Sequence, residues 1–467
     1  MAASAALAAL LLAGCATFPE RHAAAVARAP ESYATAQSFA ATSAAWPAQN
    51  WWAAYNDPQL TALIEEGLQN SPTLAQTEAR LRSAEAGREA ASAAAGPTLD
   101  LNAGAEEMKQ SYNNGFPPQF LPQGYQDYGR VTLDFSYDFD FWGRNRSAIA
   151  AATSDARASE AEAAQAQLML STAIADAYAD LARLTAERAI AAQSLDVRTQ
   201  TVDLVTRRVH SGLDTRGDES QAEAGPPATR AQIAALDEAL AQTRNRLAAL
   251  IGAGPDRGLQ ITAPQQVAPP AFGLPTSLAA DLIGRRPDIV AARWRAEAAS
   301  ARVGQARAAF YPNVNLTAYL GSQVLHLDEL TKSGSDIGSI GPALNLPIFD
   351  SGRLQAGLHR ADAERDAAVA AYDGALTEAL HQIADVAVSE RFLTTRLTES
   401  RAALAADEDA YRIARQRYEG GLSNYQAVLI AEDAVLAQRL IVADLQSRAF
   451  SLDVALVRAL GGGFSAS

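Results

Sequence analysis

Five histidines are scattered along the chain, His22, His210, His326, His359 and His381, and none has the spacing that brings two imidazoles to one metal. Neither a glycine-rich phosphate loop nor a nucleophile elbow occurs. Catalysis has no residues to carry it, and neither a cofactor nor a metal is expected. What remains is ionic chemistry. In DFSYDFDFWGRNR, Asp134 to Arg146, the acids Asp134, Asp138 and Asp140 take one parity, and Phe135, Tyr137, Phe139 and Phe141 take the other. Strand side chains alternate between faces, so this pattern makes one acidic and one aromatic surface. Such a strand either covers a soluble core with its acids in water, or sits in a membrane barrel with its rings in lipid and its acids lining an aqueous lumen.

A second reactive group is the single cysteine, which excludes an intramolecular disulfide. Cys15 follows the apolar run AASAALAALLLA and Gly14, which reads as the apolar region and cleavage site of a secretory signal over residues 1–14. No Lys or Arg precedes that run, so the natural start is expected upstream. LAGC, Leu12 to Cys15, resembles the lipobox of bacterial lipoproteins, whose cysteine is lipidated and becomes the first residue. Ala16 after it implies, in such lipoproteins, sorting to the outer membrane. The plainer reading of these residues is a buried N-terminal helix with an incidental cysteine.

A chain of 467 residues with 48% hydrophobic content is not disordered, and its abundance of alanine suits long, closely packed helices. A net charge of -14 argues against nucleic acid as a partner, because phosphate binding needs a basic surface. No apolar run reaches the roughly 18 residues of a bilayer-spanning helix, a test that says nothing about β spans.

The elements that hold the acidic stretch occur twice. NLPIFDSGR, Asn345 to Arg353, again runs from a strand pattern into Gly-Arg, with Gly352 lying 209 residues after Gly143. At the same offset Arg208, Gly212 and Leu213 match Arg417, Gly421 and Leu422, Ala222-Glu223 match Ala431-Glu432, and Gly252 matches Gly461. Pro72 and Pro97 match Pro287 and Pro312 at an offset of 215, which puts the extra residues of copy one in the turn-rich loop before Gly143. So long a period marks a duplication rather than a solenoid. Each copy reads as a helix, a proline stop, two strands around a polar loop (Met108 to Asp127, Gln323 to Gly338), and a long helical hairpin. The expected organisation is a signal over 1–14 and a lipidated segment over 15–58, then a first repeat over 59–252 with strands at about 97–142 and its helical hairpin at about 147–252. A linker over 253–277, a second repeat over 278–461 with strands at about 312–349 and its hairpin at about 353–461, and a tail over 462–467 complete it.

Ile174, Ala177, Leu181, Leu184, Arg188, Ala191, Leu195, Arg198, Val202, Val205 and Val209 follow a coiled-coil spacing interrupted by two arginines. Copy two keeps it more loosely through Ile383, Val386, Leu393, Leu397, Leu404, Tyr411 and Tyr418. From Ser147 to Ser211 there is neither Pro nor Gly, so at ~1.5 Å per residue this helix runs on the order of 95 Å. Four strands cannot close a barrel, for which about eight is the practical minimum. Open edges in lipid leave backbone groups unpaired. If the strands enter a membrane, several chains must pool them.

WWAAYNDPQLTALI (Trp51 to Ile64), GRRPDIVAARWRAEAASARVGQARAAFYPNVNLTAYLG (Gly284 to Gly321), IGPALNLPIFDSGRL (Ile340 to Leu354) and the paired tips RRVHSGL and RQRYEGGL together resemble the TolC-like outer membrane factors, in particular their NodT-type efflux lipoprotein branch. The resemblance spans Trp46 to Gly463. It implies a mainly α fold with a β-barrel part: a homotrimer whose chains each give four strands to a twelve-stranded outer-membrane barrel and their helices to a periplasmic tunnel. It also implies a passive duct that takes small toxic compounds from an inner-membrane pump and a periplasmic adaptor and releases them outside. On this reading Cys15 anchors the chain to outer-membrane lipid. Asp134, Asp138 and Asp140 face the lumen. Arg208, Gly212, Leu213, Arg417, Gly421 and Leu422 form the tips that meet the adaptor, although Gly and Leu at such places are also ordinary turn chemistry. Where many relatives carry a gating aspartate this chain has Ile430, so Tyr425, Ile430, Glu432 and Asp433 are the aperture candidates, with an apolar constriction around Tyr425 and Ile430. A type I protein exporter and a poreless coiled-coil lipoprotein are the rival functions.

Overall fold

In the computed structural model of the chain, the residues described are 24–113, 115–264, 272–275 and 278–466. In chain order the helices and strands are α1 (Pro58–Asn70), α2 (Pro72–Ala94), β1 (Thr98–Met108), β2 (Gln126–Phe139), α3 (Arg144–His210), α4 (Arg216–Leu250), α5 (Pro255–Gly258), α6 (Leu278–Arg285), α7 (Pro287–Ala308), β3 (Asn313–Val324), β4 (Asp336–Asn345), α8 (Arg353–Glu419) and α9 (Tyr425–Ala459). Among the described residues no helix is long and apolar enough to cross a membrane. The chain forms two compact units, and each draws on both copies of the repeat. One gathers Leu81–Ser159 and Ala292–Tyr372, the other Arg28–Arg80, Glu160–Ala291 and Asp373–Ser467.

The first unit holds one antiparallel sheet in the order β1-β2-β3-β4. Its register collects the apolar parity of every strand on one face. Leu101 pairs with Leu133 and Leu99 with Phe135. Leu133 in turn pairs with Leu320, Tyr137 with Leu316 and Phe139 with Val314. Ala318 pairs with Ile340 and Val314 with Leu344. A one-residue slip would turn all of these over, so the two-residue alternation fixes the register. Leu99, Leu101, Leu320, Ile340 and Leu344 stay exposed on this face. The opposite face carries Asp100, Asn102, Thr132, Asp134, Asp138, Asn315 and Thr317.

Both second strands stop before the alternation does. β2 ends at Phe139, so Phe141 lies past it. Asp140, expected among the lumen acids, is past it too. Its carboxylate accepts the Asn145 N–H at 3.1 Å and the Arg146 N–H at 2.8 Å, satisfying donors in the first turn of α3 that have no partner within the helix. β4 ends at Asn345, ahead of Leu346 and Ile348, because Pro347 has no N–H for a ladder. Asp350 then accepts the Leu354 N–H at 2.8 Å and starts α8 the same way. Beyond the first of these ends Trp142 stacks on Tyr311, with ring centroids 4.5 Å apart, and donates to the Pro312 carbonyl at 2.9 Å.

The second unit is helical, and its core joins Leu60, Leu63 and Ile64 of α1 to Ile174, Tyr178 and Leu181 of α3 and to Leu247, Phe450 and Val454. Asp57 ties two layers together. It caps α1 by accepting the Gln59 and Leu60 N–H groups at 2.9 and 3.0 Å, and it receives the Tyr178 hydroxyl at 2.7 Å. The coiled-coil spacing is realised as burial at Ile174, Ala177, Leu181, Leu184, Ala191 and Val205 in copy one, and at Ile383, Val386, Leu393 and Tyr418 in copy two. Each return helix ends on a left-handed glycine, Gly252 (φ +75) or Gly461 (φ +89). A Cβ there would lie 2.4 Å from the Asn70 carbonyl oxygen or 2.0 Å from that of Arg285, so the duplicated glycines let each return helix reach the helix that opens its own repeat. α4 runs on through Pro226 and Pro227.

Candidate functional site

Three sets of side chains could act, namely the two turns that end α3 and α8, the ionic cluster on the helices leaving them, and the polar face of the sheet. At the first turn Gly212 (φ +71) donates to the Val209 carbonyl at 3.0 Å and Leu213 to that of Arg208 at 2.9 Å. At the second, Gly421 (φ +74) donates to Tyr418 at 3.0 Å and Leu422 to Arg417 at 2.7 Å. Both are Schellman caps, which need a residue free to adopt positive φ and normally cover the apolar residue after it. Here that residue is uncovered. Leu213 is 65% and Leu422 73% exposed, so the tips present leucine outward. Thr215, in a capping box with Asp218, and Asn424, accepting the Ala427 N–H at 3.2 Å, then restart the chain as α4 and α9.

The two tip arginines differ. Arg208, expected to meet a partner, is engaged within the chain. Its Nε lies 2.9 Å from the Asp214 carboxylate and its guanidinium 4.4 Å from the Tyr418 ring centroid. The Tyr418 hydroxyl donates to the same carboxylate, so Asp214 joins the first tip to the end of α8. Burial pushes the Asp214 carboxyl up, but the bonds from Arg208 and Tyr418 outweigh it and hold it below the usual carboxylate range. Arg417 is exposed, and among the described residues no acid pairs with it.

Of the aperture candidates, Tyr425 is buried with Val205, Ala222, Tyr418 and Val428. Packing against α3 claimed a ring that spacing alone left free, and burial pushes its hydroxyl up to about 12. Ile430 is 64% exposed. Glu432 and Asp433 share Arg198, which reaches Glu432 through Nε at 2.8 Å and Asp433 through Nη2 at 2.8 Å and donates to the Thr229 hydroxyl at 3.3 Å. Burial pushes the Glu432 carboxyl up against the pull of Arg198. A Cβ at Gly225 would lie 3.3 Å from the Arg198 side chain, so the absence of a side chain there leaves the guanidinium its path.

On the sheet, Asp134 accepts from Asn102 and from the Thr132 hydroxyl, each at 2.8 Å, and Asp138 lies 3.8 Å from Arg144. Cys15 lies outside the described residues. Among the described residues no group of three His, Cys, Asp or Glu is placed to hold a metal ion.

Arg198, Asp214 and Tyr418 carry the polar links of this region; spacing placed Arg198 and Tyr418 in the heptad series without giving either a polar partner, and it did not single out Asp214. Arg198 read as a break in a heptad pattern. A cation at a core position of a coiled coil is itself the signal, since it needs an acid on a facing helix.

An exposed apolar sheet face, joined in sequence to long paired helices with leucine-tipped turns, is the architecture of an outer-membrane channel protein. The chain belongs to the outer membrane efflux protein family, whose model matches residues 63–253 and 278–462. It is an outer-membrane efflux channel protein with a helical tunnel part and a barrel part, in a family of channels rather than of enzymes. It is 33% identical to the multidrug resistance outer membrane protein MdtP of Shigella flexneri over 98% of this chain and 95% of that one. Its fold matches the outer membrane protein VceC of Vibrio cholerae with a TM-score of 0.86 and 47% identity, covering 90% of this chain and 100% of that one. It also matches the open state of the MtrE outer membrane channel of Neisseria gonorrhoeae with a TM-score of 0.80 and 26% identity, covering 97% and 99%.

Proposed function

We propose that three copies pool their sheets into a twelve-stranded barrel and their helices into a periplasmic tunnel, and that this trimer is the exit duct for small toxic compounds delivered by an inner-membrane pump through a periplasmic adaptor. The observation that carries the reading is the sheet. β1 and β4 each have one unpaired edge, and the exposed face is a continuous band of Leu, Phe, Tyr, Val and Ile. An open edge in lipid costs several kcal/mol for each unpaired backbone group, so closure by further copies is the stable arrangement. The lumen is then lined by the acids Asp134 and Asp138, which favours cations. Cys15 adds a lipid anchor. Leu213 and Leu422, displayed by Gly212 and Gly421, with Arg417 beside them, form the adaptor surface. Ile430 forms the apolar constriction, while Glu432 and Asp433 hold it in place through Arg198.

The MdtP relative is named for multidrug resistance, which supports small-molecule cargo. Deleting the gene should sensitise the cell to a subset of toxic compounds. The wild-type chain should restore resistance, and Leu213→Ser/Leu422→Ser should not, even though its trimer assembles and conducts in planar bilayers. Unchanged susceptibility after deletion together with the known channels of the same cell would overturn the efflux reading. Full resistance with the double variant would overturn the docking surface.

A further inference from the structure

Seven acids and a single base, Arg130, stand in the four strands, with three of the acids in β1, three in β2 and one in β4. On the polar face the register sets Arg130 opposite Gly104 and Glu106 opposite Tyr128. Glu106 and Arg130 are therefore diagonal neighbours, roughly 7 Å apart at Cβ, and could reach each other. They do not. The Arg130 guanidinium lies 5.4 Å from the ring centroid of Tyr319 on β3, the strand on the far side of β2 from Glu106. Among the described residues neither Glu106 nor Arg130 has an ion pair. Both line a concave space of about 520 Å³, whose wall also includes Asn102, Tyr128, Thr132 and Asp134. Glu106 is exposed and Arg130 and Tyr128 are partly exposed, so a solute can reach them. Asp134 already accepts from Asn102 and Thr132, each at 2.8 Å, which leaves Glu106 as the uncommitted acid.

We infer that this space is a transit site for small aromatic zwitterions, compounds with an ammonium and a carboxylate on either side of a ring. Its position on the lumen rests on the barrel proposed above. Arg130 takes the carboxylate through its planar fork, Glu106 takes the ammonium, and the ring lies against Tyr128. A purely cationic compound meets Arg130 and a purely anionic one meets Glu106 and Asp134, so a single charge always encounters a like charge here. Along strands that otherwise carry only acids, Arg130 is the place where a carboxylate-bearing cargo is held rather than repelled. Water hydrates both charged groups when the site is empty, so the affinity is low, with a Kd on the order of 1 mM. A conduit needs that weakness, because a site on its path must release what it takes.

Saturation-transfer difference NMR on the detergent-solubilised full-length protein with 4-(aminomethyl)benzoate tests this. Two controls of the same shape carry one charge each, 4-methylbenzylammonium and 4-methylbenzoate. The zwitterion should bind saturably, and each control roughly three- to tenfold more weakly. Arg130→Gln should erase the preference over 4-methylbenzylammonium, and Glu106→Gln the preference over 4-methylbenzoate. The comparison of the three ligands on the unaltered chain decides the matter even where a variant does not assemble. No saturable binding, a control that binds as tightly as the zwitterion, or preferences that survive both substitutions would each overturn the inference. β1 and β2 of one chain make the site, so a deletion strain with unchanged susceptibility would overturn the efflux reading and leave the binding result standing.

Discussion

Arg208 and Arg417 stand at equivalent places in the two copies, each the residue whose carbonyl closes the Schellman cap, yet among the described residues only the Arg208 side chain has an ionic partner. The reason lies in what the other copy offers. Arg208 meets Asp214 and Tyr418, whereas the reciprocal positions for Arg417 are Ser423 and Val209, which supply neither a charge nor a ring. The Ser423 hydroxyl is itself buried without a partner. The second link behaves alike. Arg198 of copy one meets Glu432 of copy two, while its counterparts, Asp407 and Glu223, would set acid against acid. Glu223 is instead exposed. Duplication therefore kept the backbone of both tips and made the polar links one-directional. Separating the tips in either sense breaks the bonds from Arg198 and Asp214 of copy one to Glu432 and Tyr418 of copy two, and the reciprocal positions supply none.

The largest expected effect comes from removing the cation on which Glu432 depends. Arg198→Ala leaves that carboxylate buried with no partner, which costs about 3–5 kcal/mol. It should lower the denaturant midpoint of the detergent-solubilised protein, and Arg198→Ala/Glu432→Gln should recover much of the loss. The other arginine of the same heptad series is the internal control. Arg188 pairs with Asp237 at 2.5 Å on an exposed surface, where water screens the pair, so Arg188→Ala should leave the denaturant midpoint nearly in place. Equal losses at Arg188 and Arg198 would remove the distinction between buried and exposed pairs on which the one-way link rests.

How far these features could be read without coordinates depends on their range. Strand alternation, the proline stops, the left-handed glycines and the heptads are local patterns, and from them the sheet, the helix junctions and both tips were legible. The capping role of Asp140 was not, because strand parity and helix capping make competing claims on an aspartate at a junction, and only the local geometry shows which prevails. Tyr425 and Ile430 were equal candidates for the aperture, since α9 could present either face. Packing against Val205 of α3, a contact more than two hundred residues apart in sequence, buries Tyr425 and leaves Ile430 exposed. The return helix, expected to reach residue 252, does run through Pro226 and Pro227, although two prolines break a helix by local rules.

A middle-sized effect is expected at Asp214. Tyr418→Phe removes one of the two donors to its carboxylate, which should cost about 1–3 kcal/mol. A double-mutant cycle with Asp214→Asn should give a coupling of about 0.5–3 kcal/mol. The pH dependence has a definite sign. The folded carboxyl titrates below its unfolded value near 3.9, so its contribution is fully present above that pH and disappears as pH falls through the folded value. The stability gap between wild type and Asp214→Asn, followed by thermal melting, should therefore be flat above about pH 5 and close in stronger acid. Glu432, raised rather than lowered, contributes the opposite slope, losing stability as pH rises through its folded value. A gap at Asp214 that instead widens in acid would mean that Arg208 and Tyr418 do not hold it charged.

The smallest effect on stability belongs to Arg417. Exposed and unpaired among the described residues, it should cost no more than about 0.5 kcal/mol when replaced by alanine. Its freedom gives it a different use. A guanidinium with no partner among the described residues, next to the uncovered Leu422, can give its full hydrogen-bonding fork to a carboxylate or carbonyl of a docking protein. Arg417→Ala should thus leave the melting temperature in place and still reduce the resistance that the wild-type chain restores to a deletion strain. Arg208→Ala should do the converse, lowering the melting temperature before any docking defect can be read. Should both arginines affect melting alike and docking alike, the tips would be equivalent after all, and the one-way bonding between the copies would have no functional counterpart.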